Sequence, residues 1–161
     1  MAKSKSARPA IGDVVEIPTG KGLAYAQYTH EHATPPKYGS LLRILPGVYD
    51  SRPADLLRLL AEREQFLTFF PLRSELRRKD TRFVVIGNFS IPSFAQPFPT
   101  FRNGLPDGMG KVHVWWLWNG TGERRAGPLT PEIRALSDLG VVNDTRLIEM
   151  IETGWTPDQV T

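Results

Sequence analysis

The chain has 161 residues, 40% of them hydrophobic and 23% charged, with a net charge of +3 and no cysteine. A chain of this size and make-up buries a core as one domain, and is neither a disordered polyelectrolyte nor a disulfide scaffold. Without cysteine it holds no thiolate metal site and no cysteine nucleophile, and the composition fits a reducing, cytoplasmic setting.

Lys3, Lys5 and Arg8 stand in the first ten residues with no acid among them, and together they equal the whole net charge. Residues 1–10 therefore read as a solvated, disordered basic tail. The near-neutral remainder argues against nucleic acid as the partner. No apolar run follows the early charges, and no stretch reaches the ~20 apolar residues of a membrane span, so no membrane partner is expected.

The first element is a hairpin. Asp13–Ile17 alternates as a strand, Pro18-Thr19-Gly20-Lys21-Gly22 supplies the turn, and Leu23 to about Thr29 returns. Leu23 and Tyr25 fall on one side of the returning strand and Ala24 and Ala26 on the other, small enough for a tightly bent sheet. His30–Lys37 is polar, contains Pro35-Pro36 and reads as a loop, and Tyr38–Leu45 is the next strand. Ser51 as cap and Pro53 in the first turn then predict an inserted helix with Leu56, Leu57, Leu60 and Ala61 as its apolar stripe.

Gln65–Phe70 follows as a strand and Ser74–Lys79 as a short basic helical turn. Arg82–Gly87 is apolar on both sides, the pattern of a central strand. Asn88–Pro99 is irregular, Thr100–Arg102 pairs briefly, and Lys111–Trp118 is a strand turned by Asn119-Gly120 into Glu123–Ala126. Thr130-Pro131 starts a helix with Ile133, Leu136 and Leu139 as its stripe, and Asn143 caps another that ends at Gly154. Thr156-Pro157-Asp158 begins a helix with no room to continue. The fold class this predicts is α+β: a strongly bent antiparallel β-sheet or partly open barrel, with one inserted helix and a helical C-terminal third. One domain spans 11–155, and 156–161 form a frayed end.

Residues able to carry chemistry are scattered. His30, His32 and His113 would make a catalytic zinc count, but the first two sit in a Pro-rich stretch without a carboxylate to orient them. The Gly104–Lys111 loop fails as a phosphate loop, because Leu105 stands where a glycine is needed and a strand follows instead of a helix. No serine lies in a strand–turn–helix elbow. The reading is therefore of a protein with no catalytic, metal or cofactor residues. Candidate contacts for a protein partner are Trp115 and Trp118, from the run Val112-His113-Val114-Trp115-Trp116-Leu117-Trp118, and the basic residues Arg77, Arg78 and Lys79.

The hairpin Gly12-Asp13-Val14-Val15-Glu16-Ile17-Pro18 with Gly22-Leu23-Ala24-Tyr25-Ala26-Gln27 resembles the opening of the immunity protein 26 family of bacterial polymorphic toxin systems. Val84-Val85-Ile86-Gly87-Asn88 followed by Pro92 is similar to that family's central strand, and Pro97-Phe98-Pro99-Thr100-Phe101-Arg102 also matches its pattern. The resemblance covers about residues 11–153. It implies a cytoplasmic antidote that binds and occludes a cognate toxin, with no active-site residues to carry over. The alternatives are a small-barrel endoribonuclease, in which Arg43 or Arg82 would act on phosphate, and a nucleic-acid-binding module on the same barrel.

Overall fold

The structure, a computed structural model, describes residues 8–160. Most of the expected basic tail, residues 1–10, lies outside them. No helix among the described residues is long and apolar enough to cross a membrane.

Five strands form one antiparallel sheet: β1 (Asp13–Thr19), β2 (Gly22–His32), β3 (Gly39–Ile44), β4 (Phe66–Phe69) and β5 (Val84–Asn88), in the order β4-β3-β2-β1-β5. The β1–β2 hairpin closes through Gly20-Lys21, with Thr19 opposite Gly22. Gly22 has φ +136°, and a Cβ there would stand 2.6 Å from the Tyr49 carbonyl oxygen, so no larger residue fits the turn. A second antiparallel sheet is made of β6 (Phe101–Pro106), β7 (Val112–Trp118) and β8 (Glu123–Gly127), with β7 in the middle. Four short helices accompany them: α1 (Leu56–Leu60), α2 (Leu72–Arg77), α3 (Pro131–Arg134) and α4 (Asp144–Glu152).

This corrects the expected fold class. Among the described residues the protein is mostly β-sheet in two antiparallel sheets, the larger sheet is not closed into a barrel, and there is no helical C-terminal third. The helix predicted after Thr130 stops after Arg134, where Arg102 on β6 binds its last carbonyls. Arg102 Nη1 donates to Ile133 O and Arg134 O, at 3.3 and 2.9 Å, satisfying carbonyls that the short helix leaves free to accept. Beyond them the chain is extended. Arg102 N donates to Ser137 O, Leu139 N donates to Arg102 O, and Val142 N donates to Phe69 O. Residues 137–142 thus run as a strap that pairs with β6 on one side and β4 on the other, stitching the edges of the two sheets together.

Smaller departures have similar causes. The Ser51 cap is not used: Asp55 Oδ1 accepts from Arg58 N, so α1 starts later and turns Leu59 and Leu60 inward while Leu57 is 69% exposed. The strand predicted as central, β5, lies at the edge of the five-stranded sheet. Its two apolar sides are explained by cover on both faces, Val85 packing in one core cluster and Ile86 in another. β2 continues through His32, three residues into the expected loop. Asn143 does cap α4, accepting from Arg146 N at 2.8 Å.

Both faces of the five-stranded sheet are clad. On one, Val15, Ile17, Ala24 and Ala26 meet Leu147, Met150 and Ile151 of α4, with Phe70 and Phe83 stacked 5.5 Å apart beside them. Ala24 and Ala26 leave room for α4 to approach the strands, and each fully buried leucine or isoleucine contributes about 1.5–3 kcal/mol. On the other face Val14, Tyr25 and Leu45 meet Leu59 and Leu60 of α1, while Leu41 and Phe69 meet Phe101 and Trp118 of the smaller sheet.

Polar residues inside this second face are tied to one another. Arg43, fully buried, donates from Nε to Gln27 Oε1 and from its two Nη atoms to the carbonyls of Glu62 and Leu60 at the end of α1. Gln27 Nε2 in turn donates to Phe89 O at 3.1 Å. Glu16 is bound by the Tyr25 hydroxyl and by the Arg52 fork. Burial, and then the Glu16 carboxylate, push the Tyr25 phenol above its ordinary value.

Candidate binding face

The smaller sheet is clad on one side and only partly on the other. Trp115 and Leu117 pack against Ile133 of α3, with Leu129, Leu136 and Val160 alongside. On the opposite side Trp118 and Phe101 lie on the larger sheet, within a ring cluster that includes His32, Tyr38 and Phe69. Trp116, two residues before Trp118 and therefore on the same side, packs in none of the apolar clusters and is 40% exposed. It stands opposite Asn103 of β6 and Arg125 of β8. Around Asn103, Leu105, Val114, Trp116 and Glu123 the surface forms an open cleft of about 440 Å³.

The local sequence fixes this cleft's shape. Gly104 sits opposite Trp115, and a Cβ there would be 2.3 Å from Val112 Cγ1 and 3.0 Å from the Trp115 ring. Only glycine lets β6 pass so close beneath those side chains. At the tip, Asp107 Oδ1 accepts from Met109 N and Lys111 N, and its Oδ2 pairs with His113 Nε2 at 2.7 Å. The His113 bond first, and the two backbone donors after it, lower the Asp107 carboxyl to about 2. Leu105, in the cleft beside Trp116, is 88% exposed, and Met109 at the hairpin tip is 92% exposed. An aromatic side chain flanked by apolar neighbours and edged by Asn103, Glu123 and Arg125 has the make-up of a protein-contact patch.

The expected contact residues are placed differently. Trp115 and Trp118 are buried, at 4% and 7% exposure, so neither is available as a surface anchor; the exposed tryptophan of the run is Trp116. Alternation put Trp116 and Trp118 on one side, but it carries no information on where the covering sheet stops. Arg77, Arg78 and Lys79 are all exposed, at the end of α2. Arg78 is not a free cation: it binds Glu75, Asp80 and Asp144, clamping α2 to α4. Burial raises the Glu75 carboxyl above its ordinary range, against the lowering effect of Arg78. Arg77 and Lys79 form no ion pair with any described residue.

The three histidines are dispersed. His32 is buried among aromatic rings, 4.9 Å from Trp118. His30 lies within hydrogen-bond distance of Gln96 O, and His113 is committed to Asp107. No cluster of metal-ligating side chains occurs among the described residues. Arg43 is sealed inside the fold with its guanidinium held by Gln27 and two carbonyls, so it cannot reach a phosphate.

No family model, curated protein or solved structure matches the chain.

Proposed function

We propose that this protein is an antidote that binds a cognate toxin domain and occludes it, using the uncovered face of the three-stranded sheet. The observation that carries the reading is Trp116, half-exposed beside Leu105 on a hairpin whose tip is braced by Asp107. Exposing a tryptophan and a leucine in one cleft forgoes burial that the rest of the chain achieves, and a partner surface would restore it. The resemblance of the β1–β2 hairpin and of Val84–Asn88 to the immunity protein 26 family supports a toxin as that partner. Inhibition in this reading is steric and needs no chemistry from the antidote. Its setting is the cytoplasm of the cell that makes the toxin.

Co-expression with toxin domains encoded in the same gene neighbourhood tests the reading. The full chain is expected to rescue growth and to co-purify with the toxin, while Trp116→Ala loses both without losing its fold. Failure of the full chain to rescue or to co-purify would refute it.

A further inference from the structure

A second cleft, of about 490 Å³, opens where β2, β3 and α2 meet. Three separate segments bring cations to its walls: Arg8 before β1, Lys37 between β2 and β3, and Arg73 on α2. All three are exposed, and none forms an ion pair with a described residue. Arg77, one turn beyond Arg73, adds to the same field. Repulsion from Arg77, and then from Arg8, holds the Arg73 guanidinium below its ordinary range. Like charges four residues apart weaken a helix, so this gathering of positive charge works against the fold that carries it.

The rest of the cleft narrows what could sit there. Tyr38, Leu72 and Val141 give it an apolar floor, with Val141 52% exposed. Glu31 stands in the same wall, its carboxylate accepting a hydrogen bond from the Tyr28 hydroxyl at 2.6 Å. A phosphate backbone brings only acceptors and would meet Glu31 as a like charge. A peptide brings carboxylates for the cations, amide N–H groups for Glu31 and an apolar side chain for the floor.

We propose that this cleft is a docking groove for an acidic, partly apolar segment of a partner protein. The inference rests on the antidote reading only for which protein carries the segment. It adds that the partner's contact surface is acidic, in contrast to the basic clefts of nucleases.

Fluorescence anisotropy on the full chain tests it, with a labelled peptide of alternating Asp and Leu, its Asn–Leu counterpart, and a labelled single-stranded RNA. Saturable binding is expected for the Asp peptide alone, weakening as salt rises. Arg73→Glu and Lys37→Glu should each weaken it by roughly tenfold or more without lowering Tm, since both side chains are exposed and unpaired and the first substitution also relieves the repulsion from Arg77. No saturable binding of the Asp peptide, binding indifferent to both substitutions, or tighter binding of RNA that the same substitutions abolish would each overturn the proposal. The two readings fail separately. Toxin protection that depends on Trp116 without any peptide binding removes the groove alone, and peptide binding without protection removes the antidote alone.

Discussion

The two sheets are built from similar strands and treated oppositely. The five-stranded sheet is covered on both faces, by α4 on one and by α1 and the smaller sheet on the other. The three-stranded sheet is covered on one face by α3 and its flanks, and on the other only where Trp118 and Phe101 reach the larger sheet. Each sheet holds one fully buried arginine. Arg43 in the larger sheet binds only neutral groups, whereas Arg102 in the smaller one reaches outward to Asp138 and ties the strap 137–142 in place. One sheet thus holds the molecule together, and the other is positioned by it and left with a surface to offer. Substitutions in the first should cost stability, and substitutions on the open face of the second should cost binding.

The largest effect is expected inside the covered sheet. Arg43→Met strands Gln27 Oε1 and the carbonyls of Leu60 and Glu62 in the interior, and should lower unfolding free energy by about 3–5 kcal/mol. Denaturant titration measures this, and a loss below about 1 kcal/mol would show that the buried network is not what fixes α1 to the sheet.

Arg78→Ala comes next, with a pH signature. Glu75 has a raised carboxyl pKa because it is buried, and removing Arg78 raises it further. A carboxyl whose folded pKa is raised is disfavoured as pH climbs through that value. Asp80 and Asp144 have lowered pKa values, chiefly from Arg78, and contribute stability above their unfolded pKa that is lost as pH falls. Both effects have the same sign, so the variant's deficit in Tm should be largest near pH 7 and shrink on acidification through the carboxylate range. A deficit independent of pH would mean that the cluster acts by packing alone.

Trp116→Ala should separate the two sheets most clearly. Its side chain is 40% exposed and belongs to no core cluster, so stability should fall by less than about 1 kcal/mol. Affinity for the toxin should fall roughly tenfold or more. The smallest effect is expected from Asp107→Asn. Tm should hardly move, because the group lies at an exposed tip, but the amides of Met109 and Lys111 should exchange faster once the charged acceptor is gone.

The sequence carried the local structure of the larger sheet better than its place in the whole. The β1–β2 hairpin is written in alternation and in Gly20-Lys21-Gly22, and the α4 cap in Asn143, because turns and caps are set by a few neighbouring residues. The edge position of β5 was not legible: apolar residues on both sides report cover, not how many strands lie alongside. The end of α3 was not legible either, since the Arg102 that binds its last carbonyls lies about thirty residues earlier in the chain.

For the candidate site the lesson is narrower. The Trp-rich run marked the right strand, and alternation paired Trp116 with Trp118, but which of the two was covered depended on how far the larger sheet extends beneath them. Glu75 and Asp80 stand beside Arg78 in sequence, but its bond to Asp144 needed α4 to be in place. The cationic cleft was out of reach for the same reason, because Arg8, Lys37 and Arg73 meet only in the folded chain.

Hydrogen exchange on the complex with the proposed toxin partner tests the central claim most directly. Binding should slow exchange across residues 103–105 and 112–116 while leaving the amides of β3 unchanged. Absence of a complex, or protection that spares the open face of the three-stranded sheet, would contradict the account.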